Sequence, residues 1–518
     1  MSRGPSQATL LVELVCGSGV ELFHSRADEA WVLLPCESHR ECWPVRSRIF
    51  RQWIARLFFE EHGTAPGAQA LSDALTVIEG YALYSSFEHA VELRLAARDG
   101  AIWLDLADDH WQAVRISADG WEVVHDPPIR FRRPRGMLPL PVPVTGGSID
   151  ELREFVNIDD LDWPLLLGWI VGALRPHGPY PILLVHGEQG SAKSTLLRVV
   201  RALVDPNEAP VRSAPKDGKD LIVAARNGLI VAFDNVSKLA PELSDDLARL
   251  ATGSGFGARQ LYTDLDEVLV NVARPIAVNG IAELATRGDL LDRGIVLNLP
   301  RISRYQDEDS FWATFAVVHP KILGALLDAV SAAMGTERTI GTPNVRMADF
   351  ARWATAAEPG LGLAPGTFID AYGTNRAAAV QVVLEESLIA GPVRTIAETG
   401  GYEGTPTELL QRIAAIVGET ATKQRGWPSR PHVLSGELRR IAPALRRQGI
   451  DVQSSRTNTR RTIRITVLEP RQEAASPASP GVSTTAARDA SDARDARSPR
   501  PSGGTYNGGV VIEQGPPS

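Results

Sequence analysis

Residues 180–195 read YPILLVHGEQGSAKST and run straight into LLRVVRALV. An apolar run, a glycine-bearing turn and a helix-forming stretch follow one another without a spacer. A strand this apolar has to be covered on both faces, which predicts a parallel sheet flanked by helices. Gly187 and Gly190 permit the tight turns that aim backbone N–H groups at one point, in front of a helix N-terminus. The spacing matches the phosphate-loop pattern G-x-x-x-x-G-K-[ST], with Ala192 where the second glycine stands. The stretch Gly187, Glu188, Gln189, Gly190, Ser191, Ala192, Lys193, Ser194 and Thr195 is therefore expected to cradle ATP phosphates. Lys193 would reach the β- and γ-phosphates and Ser194 would ligate Mg²⁺. A methyl at a glycine-preferring angle costs on the order of 1 kcal/mol, which the loop can absorb. The other reading is a chance match in a glycine-rich turn.

The same rhythm continues. DLIVAARN and LSDDLARLATG have helical patterns, while GLIVAFDN, RPIAVNG and RGIVLNLP are short apolar strands. Residues 150–305 are thus expected to form an α/β domain. Asp234 ends the apolar run LIVAF, at the strand end where open α/β sheets bind ligands, and is expected to hold Mg²⁺ with Ser194. Its other reading is a cap. Asn235 follows where many ATPases carry glutamate; asparagine can orient a water but cannot take its proton. Asn279 ends the next strand and is placed to meet a γ-phosphate or the attacking water. Arg293 precedes the strand GIVLNL, with Arg287 upstream. An arginine there can serve a neighbouring subunit's nucleotide, or it can pair with Asp289 or Asp292.

Loop lysine, strand acid, strand asparagine and arginine, in that order, resemble the superfamily 3 helicases, and more closely the ATPase half of phage and plasmid primase-helicases. The resemblance covers roughly residues 150–305. It implies a P-loop NTPase of AAA+-like fold, working as a hexamer or other ring that translocates on single-stranded or forked DNA. It also implies that LARLATGSGFGARQLYTDLDE forms a hairpin entering the ring channel, with Arg259 as the DNA contact; otherwise Arg259 is a surface arginine. The departures are Ala192 and Asn235, and the second bears on hydrolysis rate. The family usually adds a primase module. Residues 1–150 carry no primase acid motif, so a separate primase is an expected partner.

Around this domain the sequence predicts an N-terminal α+β accessory domain over 1–135. Its opening apolar run, broken by Glu13, reads as a strand. Helical patterns follow in VRSRIFRQWIARLFFEEHG and ALSDALTVIEGYALYSSF, and the alternating runs VELRLAA, AIWLDLA, QAVRIS and WEVVHD predict a small antiparallel sheet. Six prolines between Pro127 and Gly147 forbid helix or central strand, so 136–149 reads as an extended linker. Residues 306–400 read as a helical region. Residues 401–468 carry twelve Arg or Lys against five Asp or Glu. Their order of helix, helix and hairpin predicts a winged helix, with Ser435 capping the second helix and Gly449 ending it. Arg439, Arg440, Arg446 and Arg447 would lie on that helix, and Arg456, Arg460 and Arg461 on the hairpin turn, placed to meet nucleic-acid phosphates. A solvated or protein-docking basic face is the other reading. The tail 469–518, rich in Ser, Pro, Ala, Arg and Gly, is expected to be disordered.

The net charge of −8 over 518 residues names no partner. Cys16, Cys36 and Cys42 are too few for a disulfide framework. Cys36, His39 and Cys42 lie close in sequence but lack a standard zinc spacing and a fourth ligand, which favours reduced side chains over a metal. No leader pattern and no uninterrupted membrane-length apolar run are present, so the cytoplasm is the expected location. The sequence thus points to an ATPase, namely a DNA helicase or replication-initiation motor of a mobile element. The alternatives are a DNA-binding ATPase switch or loader, and a small-molecule kinase.

Overall fold

A left-handed residue inside an apparent strand decides the N-terminal half. The alternation of VELRLAA predicts one strand, but Arg94 takes a φ of 63°, splitting it into β4 (Val91–Glu92) and β5 (Leu95–Arg98). In the computed structural model, which describes residues 4–236, 239–254, 256–259, 267–270, 272–280, 290–291, 293–302, 305–424, 426–456 and 461–468, β5 opens the expected antiparallel sheet. Its order is β5-β6-β7-β8, with β6 (Ala101–Asp105), β7 (Ala113–Ser117) and β8 (Gly120–Val124). β4 pairs instead with β9 (Arg130–Phe131).

Before this sheet stand α1 (Gln7–Gly17), a meander of β1 (Glu21–His24), β2 (Ala30–Pro35) and β3 (Arg40–Pro44), then α2 (Arg48–His62) and α3 (Ala68–Tyr84). The expected N-terminal strand is a helix. Ser6 caps it by accepting the Thr9 N–H at 3.1 Å, and Leu11 and Val15, one turn apart, are fully buried. Glu13 points outward, so the run follows a helical period that its short apolar content disguised.

Residues 136–148 hold no helix and no named strand, and the stretch is fixed to its surroundings. Leu138 N–H donates to the Pro206 carbonyl at 3.0 Å, Leu140 N–H to Leu106 at 2.8 Å and Val144 N–H to Pro320 at 2.9 Å. The Leu140 side chain is buried in the same core as Leu104 of the sheet and Leu197 beyond the loop.

The central layer begins with a 3-10 turn at Ile149–Phe155 and α4 (Trp163–Ala173). Then come β10 (Ile182–Gly187), α5 (Lys193–Val204), α6 (Gly218–Arg226), β11 (Val231–Val236), α7 (Pro241–Thr252), the hairpin β12 (Phe256–Arg259) and β13 (Glu267–Val270), β14 (Ile276–Gly280) and β15 (Gly294–Leu299). The sheet order is β11-β14-β10-β15, and every neighbouring pair is parallel. The protein is thus mixed α/β around a parallel sheet. Every residue of α4 is buried. Gly168 and Gly172, one turn apart, face the Phe368 and Phe350 rings so closely that a Cβ on either would collide with them.

A helical layer follows: α8 (Glu308–Thr336), α9 (Ala348–Ala356) and α10 (Thr367–Glu385). Among the described residues, Glu308–Thr339 is long and apolar enough to cross a membrane, and 56% of its apolar window is buried inside the fold. Pro320 has no N–H to donate within the helix, and its carbonyl accepts the Val144 N–H. Last come α11 (Ala390–Glu398), β16 (Tyr402–Gly404), α12 (Pro406–Thr422), α13 (Pro431–Arg447), β17 (Ile450–Arg456) and β18 (Arg461–Val467), with sheet order β16-β18-β17. The basic unit thus has a strand, β16, ahead of the predicted helix, helix and hairpin, with α11 directly before it. Ser435 does not cap α13. The helix starts a turn earlier, at Pro431, and the Ser435 hydroxyl donates back to the Pro431 carbonyl at 2.9 Å. Gly449 does end it, with a φ of 81°. The tail 469–518 lies outside the described residues.

Candidate functional site

The turn between β10 and α5 is built on three left-handed or glycine-only backbone positions. Gly187 has a φ of 147° and Gly190 one of 80°. A Cβ on Gly187 would sit 2.6 Å from Ser191 Oγ and 2.7 Å from the Leu299 carbonyl, so glycine is required there for packing as well as angle. Ala192, with φ 64° and ψ 30°, is the left-handed residue directly before α5. The substitution visible in the sequence therefore falls where a side chain is strained. Lys193 folds over the loop and donates to the carbonyls of Gly187 at 2.8 Å and Glu188 at 2.7 Å. α5 begins directly behind the loop, at Lys193, and its first-turn N–H groups have no partner within the helix.

The sheet order places three polar side chains at the carboxyl end of adjacent strands. Ser194 Oγ donates to Asp234 Oδ1 at 2.8 Å. Asn279 ends β14, which lies between β10 and β11. Its Nδ2 is 3.4 Å from Ser194 Oγ, and its Oδ1 accepts the Asn235 N–H at 2.6 Å. Asn279 is buried, so its amide is fixed by these contacts. Asn235 itself is exposed and has a φ of 56°. Asparagine tolerates that region better than most residues. The serine hydroxyl and the carboxylate are hard oxygen donors within one cation's reach of each other, which fits Mg²⁺.

Two flanking residues were not legible in the sequence. Asn157, just beyond the 3-10 turn, donates its amide to the carbonyls of Ser191, at 3.2 Å, and Pro300. It fastens the loop to the exit of β15. Tyr305 lies over Gly190, its hydroxyl 3.3 Å from where a Cβ would be. Nothing in the local pattern around either residue marks it. Below the loop, burial and then the nearby Lys193 ammonium hold the His186 imidazole below its usual pKa.

Arg293 lies at the opposite end of the sheet. The register pairs Ile182 with Gly294 and Gly187 with Leu299. Arg293 is therefore separated from its own loop by the length of β10, about 17 Å at the usual strand rise. Asp289, Asp292 and Arg287 lie outside the described residues.

The hairpin expected between the acid and asparagine strands is present. β12 and β13 are antiparallel, with Arg259 opposite Glu267 at the end nearest the turn. On α13, Arg439, Arg440, Arg446 and Arg447 are all exposed. Arg440 is bound by Glu437, with Nε to Oε2 at 3.0 Å, and Arg446 by Asp451 at 2.9 Å. Arg439 donates to the Ser435 carbonyl at 3.2 Å. Arg461 opens β18 and reaches Ser454 Oγ at 3.4 Å. Arg456 ends β17, and Arg460 lies outside the described residues.

The sequence cluster of Cys36, His39 and Cys42 is divided between two places. Cys42 is buried against Phe23 and Trp31, while Cys36, His39 and Glu41 gather on the β2–β3 turn. Glu41 is held by the Trp43 indole N–H at 2.6 Å. Burial, then Glu41, pushes the Cys36 thiol up to about 11.

Residues 149–375 match the family model of the actinomycete integrative conjugative element replication protein. Residues 389–484 match the model of the AICE RepA C-terminal domain, and that segment starts where α11 starts. Among solved structures, the chain is similar to one described as the A form apo structure of NrS-1 C terminal region-CTR, at 12% identity and a TM-score of 0.39, covering 88% of this chain and 99% of that one. A second, the apo structure of NrS-1 C terminal region (305-718), shares 11% identity with a TM-score of 0.37, covering 90% and 100%. No curated protein matches the chain.

Proposed function

We propose that this chain, which over residues 149–375 and 389–484 belongs to the replication-protein family of actinomycete integrative conjugative elements, is an ATP-driven ring motor acting on DNA in replication initiation. The observation that carries this reading is the 2.8 Å contact between Ser194 and Asp234, with Asn279 beside them and the Lys193 loop in front. It supports the reading of a P-loop in an AAA+-like strand order.

Lys193 and the α5 N-terminus bind the phosphates. Ser194 and Asp234 would hold Mg²⁺, which when bound would supply charge neutralisation to the phosphate oxygens. Asn279 positions the γ-phosphate or the attacking water with its Nδ2. Asn235 orients a water without accepting its proton, so turnover rests on positioning and charge neutralisation. Arg293 cannot serve its own loop across the sheet. It serves the nucleotide of a neighbouring copy, which makes the site complete only in an oligomer. The last unit, with helix, strand, two helices and a hairpin, is a winged helix that adds DNA contacts.

The test is ATP turnover of the full chain with and without single-stranded DNA, together with sedimentation in a non-hydrolysable ATP analogue. The motor reading expects DNA-stimulated turnover, a hexamer or similar ring, and no turnover in Lys193→Ala. Full turnover in that variant removes the site. Turnover indifferent to DNA selects the second reading, a DNA-binding switch or loader, which the missing carboxylate at Asn235 favours.

A further inference from the structure

β15 stands at the edge of the parallel sheet, so one row of its backbone groups faces away from β10. Side chains take the place of a further strand there. The Asn375 amide, on α10, accepts the Val296 N–H at 3.0 Å and donates to the Val296 carbonyl at 2.6 Å. One planar group thus satisfies both backbone groups of one residue, because an amide carries donor and acceptor together. Farther along the same edge, the Asn298 N–H donates to Asp162 Oδ2 at 2.9 Å. Asp162 directly precedes α4, and its carboxylate serves the strand rather than capping the helix.

Asn375 is polar where α10 otherwise turns apolar residues inward. Phe368, Tyr372, Ala379 and Val383 are buried at helical spacing, and position 375 falls on the same stripe. Phe368 and Tyr372 stack with ring centres 5.6 Å apart and anchor the turn that precedes Asn375. A polar side chain in such a stripe needs partners, and Val296 supplies both.

The clamped residue belongs to the strand that Arg293 introduces. The Arg293 carbonyl accepts the Ile182 N–H at 3.0 Å, and its own N–H donates to the Leu290 carbonyl at 3.0 Å. β10 therefore holds the strand entry from the inner side. Asp162 and Asn157 hold the exit, beside the loop of the same chain. Asn375 grips the strand between the two, from the outer side. We propose that Asn375 is a positioning residue, which holds the entry of β15 so that Arg293 meets the nucleotide of a neighbouring copy. The inference rests on the reading of Arg293 given above. It adds that the helical layer, through α10, sets where that arginine stands. A displacement of about 1 Å in a group that serves the reacting phosphate costs on the order of a hundredfold in rate, while the loop of the displaced chain still binds its own nucleotide.

The experiment is ATP turnover of the full chain in single and mixed variants. Asn375→Ala removes both hydrogen bonds. Asn375→Asp keeps the volume and one acceptor but sets a carboxylate oxygen against the Val296 carbonyl. Both are expected to lower kcat by about tenfold to a hundredfold and to keep affinity for an ATP analogue within about threefold of wild type. Circular dichroism and the thermal midpoint identify the folded variants. Complementation then separates positioning from a merely structural role. Lys193→Ala offers an intact Arg293 to its neighbour but has no usable loop of its own. Mixed with a folded Asn375 variant before nucleotide is added, it should raise turnover above the sum of the two proteins alone. Arg293→Ala mixed with Lys193→Ala should behave in the same way, and Asn375→Ala mixed with Arg293→Ala should stay low. Wild-type kcat in a folded Asn375 variant overturns the inference. So does a loss that Lys193→Ala fails to complement while it complements Arg293→Ala, and so does restored turnover in the mixture of the Asn375 and Arg293 variants. An Arg293→Ala protein that turns over like wild type, or that Lys193→Ala does not complement, removes the arginine's role at the neighbouring site and the ring-motor reading with it.

Discussion

Asn279 Oδ1 accepts the backbone N–H of Asn235 at 2.6 Å, linking the end of the central strand to the residue after the acid. The same Asn279 side chain points its Nδ2 at Ser194. One buried amide therefore sets the spacing between the loop serine and the acid strand. The linkage also holds Asn235 in the left-handed region, with a φ of 56°.

That backbone angle explains why asparagine is acceptable at a position where a glutamate would be expected. A longer side chain pays about 1 kcal/mol at such an angle. Asn235→Glu is expected to lower unfolding stability by about that amount, and Asn235→Gly to leave it within about 0.5 kcal/mol, since glycine adopts the angle freely but loosens the unfolded chain. Urea denaturation of the two variants measures this. Equal stability of the glutamate variant and the wild type would remove the backbone explanation for the missing carboxylate.

Ala192 is the parallel case in the loop, at φ 64°. Ala192→Gly relieves a strain of about 1 kcal/mol and in return frees the unfolded chain by a similar or smaller amount. The net expectation is a gain between zero and about 1 kcal/mol, with affinity for an ATP analogue changed less than threefold. A loss of more than 1 kcal/mol in the glycine variant would show that the methyl is packed rather than tolerated.

Ser194 and Asp234 give an expectation for metal removal. With both oxygens on one Mg²⁺, nucleotide affinity in the wild type should fall at least tenfold when EDTA is added. Ser194→Ala, which lacks one of the donors, should start weaker and respond less to chelation. Calorimetric titration of an ATP analogue with and without Mg²⁺ reads both. An unchanged EDTA response in the variant would take Ser194 out of the metal shell.

Sequence reading reached these residues because each stands where an apolar run meets a turn. Asp234 and Asn279 each end a strand of buried residues, and Lys193 opens a helix behind two glycines. The order β11-β14-β10-β15, which brings Asn279 between the other two, depends on crossovers that no local pattern encodes. α1 was hidden because LLVELVCG has apolar residues at nearly every step, and only burial of Leu11 and Val15 selects the helical period. Asn157 was out of reach for a different reason: its partners, the Ser191 and Pro300 carbonyls, are supplied from distant segments.

A buried charge cluster joins the N-terminal half to the central layer. Arg94 and Arg201 both reach Asp205, at 3.4 and 3.2 Å, and all three are fully buried. The Asp205 carboxylate also accepts the N–H groups of Leu229 at 2.9 Å and Ile230 at 3.1 Å. Arg94 adds contacts to the Asp105 carbonyl at 3.1 Å and the Leu138 carbonyl at 2.8 Å. Removing the one shared acid leaves two buried cations. Asp205→Asn is therefore expected to destabilise by about 3 to 5 kcal/mol. Urea or thermal unfolding measures it, and a loss under 1 kcal/mol would mean that solvent reaches the cluster.

His319, buried in α8 beside Phe315 with ring centres 4.9 Å apart, makes the fold sensitive to acid. Burial lowers its pKa from 6.5 to about 4, opposed only by a backbone hydrogen bond at Leu203. The folded imidazole thus stays neutral while the unfolded one takes a proton below pH about 6.5. Its contribution to stability is complete above that pH and is lost progressively as the pH falls towards 4. The span corresponds to about 3 kcal/mol at 1.36 kcal/mol per unit. Carboxylates titrate in the lower part of the same window, so the useful quantity is a difference between proteins. His319→Leu has no proton to gain, and its stability should fall less steeply than the wild type's between pH 6.5 and 4.5. Parallel stability curves for the two proteins across that interval would mean that His319 is protonated in the folded state, with water or a carboxylate admitted to its pocket.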